Sequence, residues 1–326
     1  MHTVIFGGAG FVGLNIAERL LDRGERVTIF DAGPVPADAT EHFATLGDEM
    51  RAVIGDVRDE ASVQAAFSDP VTTVIYGAAI TARAERDRTE PERIIDVNLG
   101  GFVRALRAAR DAGVRRVINL SSSAAYGDPP FAGDRLSEDD AADPVSLYAL
   151  SKFATERAGR RLGDLWDMDV RSVRLSGVFG RWERQTGVRD TPSPHHQVMA
   201  AALEGRPALL SRRDRRDWIY APDAAAAIVS LIDAETLNHP LYNVSNGTPS
   251  SVLEFGEALA ALRPGFECRL ARDGETATVD LHVGTDRPPL DIGRLRGDTG
   301  FDPCFPIGQA AQDYDQWIGS HSGYAN

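Results

Sequence analysis

Short apolar runs alternate with amphipathic stretches through the first half of the chain. Val4–Phe6 is a short unbroken apolar run, whereas apolar positions in Phe11–Arg23 recur at helical spacing. Arg26–Phe30, Arg51–Ile54, Thr73–Tyr76, Val117–Leu120 and Val170–Leu175 read as five further strands. Ser62–Phe67, Arg93–Ala112 and Leu147–Leu162 read as helices between them. This alternation predicts an α/β fold with an open, doubly wound parallel sheet. The pattern changes after about Gly177. Residues 181–196 are polar and loop-like. Helices are expected at Gln197–Leu203, Asp223–Leu231, Ser251–Leu262 and Gln309–Ile318, with a strand at Tyr242–Val244. There is no internal repeat or low-complexity tract.

Composition narrows the functional classes. The 326 residues are 43% hydrophobic and 25% charged, the balance of a soluble protein. A formal net charge of -13 argues against nucleic-acid binding, although a locally basic cleft remains open to a small anion. Cys268 and Cys304 are too few for a disulfide framework or a zinc site, and no histidine pair has metal-ligand spacing beside a carboxylate, so no metal is expected. Met1-His2-Thr3 runs directly into the first strand, with no signal peptide, and no apolar run approaches the roughly 18 residues of a membrane span. The expectation is a cytoplasmic protein without a membrane partner.

Three features carry chemistry. Gly7-Gly8-Ala9-Gly10-Phe11-Val12-Gly13 falls between the first predicted strand and helix. Gly7, Gly10 and Gly13 permit a tight turn and let backbone N–H groups approach a pyrophosphate at the helix N-terminus, where Phe11 and Val12 begin the helix. Asp31 ends the second strand, 18 residues after Gly13. That is near the spacing of about 20 at which an acid meets the adenosine ribose, and its charge would repel a 2′-phosphate, favouring NAD over NADP. Asp31 would otherwise cap the following turn. Asp56-Val57, after the third strand, is placed to reach the adenine. Tyr148 and Lys152 lie four apart on one helix face. An ammonium beside a phenol favours the phenolate, whose free pKa is about 10, so this pair suits proton removal from an alcohol while a nicotinamide takes the hydride.

This ordered set resembles the extended short-chain dehydrogenase/reductases, in particular the NAD-dependent epimerase/dehydratase group, with UDP-sugar 4-epimerases as the nearest kind. The resemblance covers nearly the whole chain and rests on Gly7–Gly13, Asp31, Asp56-Val57, Gly77-Ala78-Ala79, Asn98, Ser121–Gly127, Tyr148–Lys152, Arg174–Gly180, Arg216–Tyr220 and Asp223. It is specific for the family and much less so for the substrate. It implies NAD as cofactor, Tyr148 as general base, Lys152 lowering its pKa and holding the nicotinamide ribose, and Ser122 hydrogen-bonding the reacting oxygen. Cofactor contacts are implied at Ala78, Ala79 and Asn98. The family's Asn supports the active-site helix or a water, and on residues alone Asn98 equally reads as a buried hydrogen-bonded side chain. Residues 1–176 are expected to form an NAD-binding Rossmann domain. Residues 177–326 would form mainly a substrate-binding lobe, with parts of about 215–245 returning to the first domain.

Departures from the family pattern matter too. Phe6 replaces the common Thr before the glycines and is expected to alter packing. Ser123-Ala124 stands where dehydrating relatives carry an acidic pair, and the acid of decarboxylating relatives is missing from the same stretch, so both reactions are disfavoured. Ser121 and Ser123 read as strand-end residues satisfying backbone groups, with Ser122 and Ser123 also counted as substrate contacts. Arg181, Arg184, Arg189, Arg212, Arg213, Arg215, Arg216 and later Arg287 suit an anionic substrate. The resemblance implies that Arg216 and Arg287 hold a diphosphate, and that Arg184 sits like an arginine that reads a sugar carboxylate. His195-His196 are expected to cap the following helix, and the run Trp182–Thr191 to set specificity. The leading expectation is C4 epimerisation of an anionic sugar nucleotide, a UDP-hexose or UDP-hexuronate, through transient oxidation. The alternative is an NAD-dependent dehydrogenase of a free sugar or sugar acid. A non-catalytic NAD sensor would have no need of Tyr148 and Lys152. A homodimer is expected through helices near Arg93–Ala112 and Leu147–Leu162, although their apolar positions also suit an internal core.

Overall fold

The structure, a computed structural model, describes residues 1–128, 131, 133–185, 187, 190–282 and 284–321. In chain order it runs β1 (His2–Phe6), α1 (Phe11–Asp22), β2 (Arg26–Asp31), α2 (Ala37–Ala44), β3 (Met50–Ile54), α3 (Glu60–Ala65), β4 (Thr73–Tyr76), α4 (Ala84–Thr89), α5 (Pro91–Ile95), a π turn (Asp96–Gly100), α6 (Gly101–Asp111), β5 (Arg116–Ser122), a 3-10 turn (Ser123–Tyr126), α7 (Leu147–Trp166) and β6 (Asp169–Leu175). There follow β7 (Gly177–Phe179), α8 (Pro194–Leu203), β8 (Ala208–Leu210), β9 (Arg215–Arg216), β10 (Trp218–Tyr220), α9 (Ala221–Asp233), β11 (Leu241–Val244), β12 (Ser250–Ser251), α10 (Val252–Leu262), β13 (Cys268–Leu270), α11 (Gly293–Thr299) and α12 (Ile307–Ser320).

Seven strands form the main sheet in the order β11-β6-β5-β4-β1-β2-β3, all parallel. Alternation along each strand divides its side chains between two cores. Ile5, Ile29 and Ile75 face α1 and α9, whereas Val4, Phe6, Phe30, Val74 and Tyr76 face the opposite core with Phe102 of α6. Phe6 packs 4.8 Å from the Phe30 ring centroid, so the residue preceding the glycines is core, and truncating it to Ala would cost about 3–5 kcal/mol. Chain order reverses between β1 and β4. The carboxyl edge of the sheet opens there, which is where an open α/β sheet binds ligands.

Two features of the later chain and of one helix bear on the site, the first at the expected strand Tyr242–Val244 and the second a difference from the sequence pattern. The short run at Leu241–Val244 joins the main sheet beside β6, making a seventh strand. The expected helix at Arg93–Ala112 is interrupted by the π turn at Asp96–Gly100. Helix α6 then starts at Gly101, where a Cβ would lie 2.5 Å from the Tyr76 hydroxyl and 2.7 Å from Val57, so the close approach requires glycine. Beyond the sheet, β7 pairs with β10, β9 with β12 and β8 with β13, packed against α8, α10 and α12.

Candidate active site

A cavity of about 560 Å³ opens over the carboxyl ends of β1, β2, β4, β5 and β6. Its first wall is the glycine turn. Gly7 has φ +76, and a Cβ on it would lie 2.6 Å from the Ala78 nitrogen; at Gly13 a Cβ would lie 2.5 Å from the Gly7 carbonyl oxygen. Both contacts are with backbone, so the turn has no room for a side chain at either position. Helix α1 begins after Gly10 with no side-chain cap, leaving its first N–H groups for a ligand. Gly7, Gly10, Phe11, Val12 and Gly13 all line the cavity, as do Ala78 and Ala79. Asp31 stands beside the turn, with Oδ2 accepting from Ala9 N–H at 3.1 Å and Oδ1 from Gly33 N–H at 3.4 Å. Burial pushes its carboxyl above the ordinary value, against the pull of these N–H groups. Asp56 and Val57 also line the cavity, where Asp56 is gripped by Arg58 at 2.6–3.1 Å. An uncapped helix N-terminus, a turn closed to side chains and an acid at the end of β2 fit a dinucleotide.

Asn98 shows the buried, hydrogen-bonded side chain that is one of its two readings. It is buried in the π turn and is not part of the cavity wall. Its Nδ2 donates to Ile80 O at 3.2 Å and Ser151 Oγ at 2.9 Å, while Oδ1 accepts from Ile80 N–H at 2.8 Å. Ser151 in turn donates to Tyr148 O at 2.7 Å, so the Asn98 amide pins the first turn of α7.

Tyr148, Lys152 and Ser122 all line the cavity. Ser146 caps α7 by accepting from Ala149 N–H at 3.2 Å. Lys152 lies one turn beyond Tyr148, with Nζ 5.9 Å from the Tyr148 ring centre and donating to Leu120 O at 2.8 Å. Burial lowers its ammonium from 10.5 to about 8. Ser122 ends β5, and its Oγ accepts from Ala124 N–H at 3.1 Å. With that acceptor role filled, the hydroxyl proton is available to an oxygen in the cavity. Behind it, Ser121 donates to Glu156 at 2.5 Å, and Arg174 holds Glu156 through two hydrogen bonds of 2.9 and 2.7 Å.

The far end carries the arginines. Arg216 and Arg287 both line the cavity. Arg287 donates to Ser123 Oγ at 3.1 Å, Ser123 O at 2.7 Å and Gly127 O at 3.0 Å. Burial, then the charge of Arg216, brings its guanidinium down to about 10. Two mutually repelling cations facing one cavity suit an anion. Arg184 also lines the cavity, but it pairs with Asp38 at 3.0 Å, on the helix after β2. That contact puts it beside the β2 edge of the cleft. Arg181 pairs with Asp313 at 2.6 Å instead of lining the cavity, and Arg189, like Thr186 and Val188, lies outside the described residues.

The expectation that the two histidines cap the following helix is corrected. Ser193 caps α8 by accepting from His196 N–H at 3.1 Å, and His196 Nδ1 meets the Tyr314 hydroxyl at 3.1 Å. His195 has no exposed surface; its ring stacks on Phe179 at 4.0 Å and meets Trp218 and Phe255 edge-on. Sequence reasoning also misses Glu183, a buried cavity residue that accepts from Ser193 N–H and Oγ–H at 2.6 Å each. For the Trp218 wall, Gly177 is the available signal, because a Cβ there would lie 2.4 Å from the Trp218 ring.

A family profile described as "NAD dependent epimerase/dehydratase family" matches residues 3–245. The UDP-glucose 4-epimerase of Mycolicibacterium smegmatis is 29% identical over 269 residues, covering 80% of this chain and 82% of that protein. A probable UDP-glucuronate 4-epimerase of Rhizobium meliloti is 29% identical over 241 residues, covering 71% and 68% respectively. Among solved structures, the Thermus thermophilus UDP-glucose 4-epimerase in complex with NAD is similar at a TM-score of 0.77 and 26% identity, covering 98% of this chain and 100% of that one.

Proposed function

Because the chain belongs to the NAD-dependent epimerase/dehydratase family, we propose that it epimerises a UDP-hexose or UDP-hexuronate at C4 through transient oxidation to the keto sugar. One observation carries this reading: Tyr148, Lys152 and Ser122 share a single cavity with two neighbouring guanidinium groups, those of Arg216 and Arg287. A free sugar has no diphosphate to match that cationic end, which disfavours a simple sugar dehydrogenase.

NAD would be held by the Gly7–Gly13 turn and Asp31, and supplies uptake and return of a hydride. The protein's own groups do the rest. Tyr148 removes the proton from the C4 hydroxyl as general base and later restores it. The Lys152 ammonium stabilises the charge on the Tyr148 oxygen. Ser122 donates its hydroxyl proton to the reacting oxygen and steadies charge as it develops. Arg216 and Arg287 keep hold of the diphosphate while the sugar ring presents its other face. Dehydration would need an acid to expel a hydroxyl; Ser123 is engaged with Arg287, and Ala124 has no polar group.

Two relatives of equal identity act by name on a neutral sugar and on a uronate, so both belong in the assay. Purified protein is incubated with UDP-glucose and, separately, UDP-glucuronate, and the nucleotide sugars are separated chromatographically. Formation of the C4 epimer without net NADH, and near-stoichiometric NAD released on denaturation, is the expected result. NADH accumulating without epimer would overturn it.

We further infer a homodimer through the helical stretch near Arg93–Ala112 and α7, on which Ile95 and Leu150 leave apolar surface exposed, and a reducing cytoplasmic setting, in keeping with free Cys268 and Cys304. No helix among the described residues is long and apolar enough to cross a membrane.

A further inference from the structure

Arg216 would not stay beside Arg287 unaided. Each cation faces the same cavity, and a long side chain next to a like charge moves toward water when nothing restrains it. The restraint is Asp214, which is wholly buried. Its Oδ1 accepts from Arg216 Nε at 2.8 Å and Nη2 at 2.7 Å, and also from Arg212. Arg216 Nη2 reaches Leu281 O at 2.6 Å as well, and the guanidinium lies 5.1 Å over the Trp218 ring. Nε and Nη2 are therefore committed to protein acceptors, which leaves Nη1 for an anion.

The same acid links two stretches of chain. Arg212 bridges Asp214 to Asp286, and Asp286 accepts from Arg215 N–H at 3.0 Å. Arg287 N–H lies 3.4 Å from Arg215 O. The strand bearing Arg216 and the segment bearing Arg287 are thus cross-tied beside the cavity. Asp214 occupies this place at a cost: its φ is +54, in the left-handed region where a non-glycine residue gives up about 1–2 kcal/mol, with Asp and Asn among the better tolerated. Its second oxygen, Oδ2, is buried without a partner among the described residues. A strained, half-satisfied, buried carboxylate is a poor choice for stability alone.

We propose that Asp214 is the positioning residue of the diphosphate site: it fixes Arg216 and, through Arg212 and Asp286, sets the spacing between Arg216 and Arg287 before the substrate arrives. This rests on the reading of those two arginines as diphosphate ligands.

The test uses the full-length protein with its bound cofactor and UDP as probe. Asp214→Gly and Asp214→Asn both tolerate the left-handed backbone, so loss of fold is not the default outcome. The Kd for UDP is expected to rise at least about tenfold in the Gly variant and about threefold in the Asn variant, which keeps an acceptor. KM for the UDP-sugar should rise in parallel, with kcat within about twofold and NAD content unchanged. In an Arg216→Met background, Asp214→Gly should change the Kd by less than about twofold, because the effect passes through Arg216. Wild-type Kd in both single variants, or an equal loss in the Arg216→Met background, overturns the proposal. If Arg216→Met itself binds UDP normally, the diphosphate reading fails and takes the proposal with it.

Discussion

At the cofactor end of the cavity, two polar side chains of the wall, Asp31 and Asp56, have partners inside the protein. Asp31 takes N–H groups from Ala9 and Gly33, and Asp56 is held by Arg58. At the substrate end, several do not. Ser176 Oγ, both ring nitrogens of His195, Asp214 Oδ2, Trp218 Nε1 and Arg287 Nε are buried without a hydrogen-bond partner among the described residues. The first end is a preformed cradle whose specificity lies in backbone shape. The second stores like charge and unsatisfied donors on its wall, at Ser176 Oγ, Trp218 Nε1 and Arg287 Nε, which a bound anion can partly relieve; Asp214 Oδ2 is itself an acceptor and gains nothing from an anion.

Tyr148 lines the same cavity as both ends, and as the proposed base its removal should separate chemistry from binding. Tyr148→Phe is expected to lower kcat by about 10³-fold or more while leaving NAD content and the Kd for UDP unchanged. Loss of either ligand would mean that the two ends are not independent of the reacting centre. Lys152→Met should lower kcat by about 10²-fold and yet raise stability. The ammonium sits at about 8 when folded against 10.5 when free, a burial cost on the order of 3 kcal/mol. That cost is carried in full below about pH 8 and fades as pH rises toward 10.5, because the folded form releases its proton first. Stranding the Leu120 carbonyl returns roughly 1–2 kcal/mol of the gain, so chemical denaturation at pH 7 should show the variant about 1–2 kcal/mol more stable. No gain would mean that Lys152 is better compensated than its single carbonyl partner suggests. In the wild type, activity should fall above about pH 8 as this ammonium is lost.

Gly13→Ala tests the claim that the cradle is backbone shape. A methyl group 2.5 Å from the Gly7 carbonyl oxygen cannot be accommodated by a side-chain movement. NAD recovered after denaturation should fall about tenfold, with UDP affinity retained. Equal losses at both ends would erase the distinction between them.

The same contrast explains what is legible in the sequence. The glycine turn, Asp31 and the Tyr148/Lys152 pair each depend on neighbours within a strand, a turn or one helical turn, so spacing reveals them. The substrate end depends on contacts between distant segments. Arg184 is a candidate for a sugar carboxylate by resemblance, and its pairing with Asp38, 146 residues earlier, is a contact that no local pattern announces. For Asn98 the residues leave two readings open, because nothing local announces that a π turn will aim its amide at Ser151. Asp214 hides within a run of arginines, where charge alternation looks like a solvated surface. His195 beside a proline looks like the start of a helix, and its aromatic cage comes from Phe179, Trp218 and Phe255 on three separate elements.

That cage provides the smallest expected effect and the most direct measure of what unsatisfied polarity costs at the substrate end. Burial, reinforced by the charge of Arg216, holds the His195 imidazole well below its ordinary 6.5. Above that pH the ring is neutral in both folded and unfolded chains and contributes no pH dependence. Below it the unfolded chain takes up a proton that the folded chain refuses, so stability declines as pH falls, by up to about 1.4 kcal/mol per pH unit. His195→Phe removes both orphaned nitrogens and this titration while keeping a ring against Phe179. Its stability at about pH 7.5 should exceed that of the wild type by about 1 kcal/mol, and the difference should widen from about pH 6.5 down to about pH 5. A constant difference across that range would show that His195 reaches a proton acceptor, and that the substrate end is less starved of partners than its buried atoms indicate. A destabilised variant with unchanged pH dependence would assign the residue to shape, since Phe is larger than the imidazole it replaces.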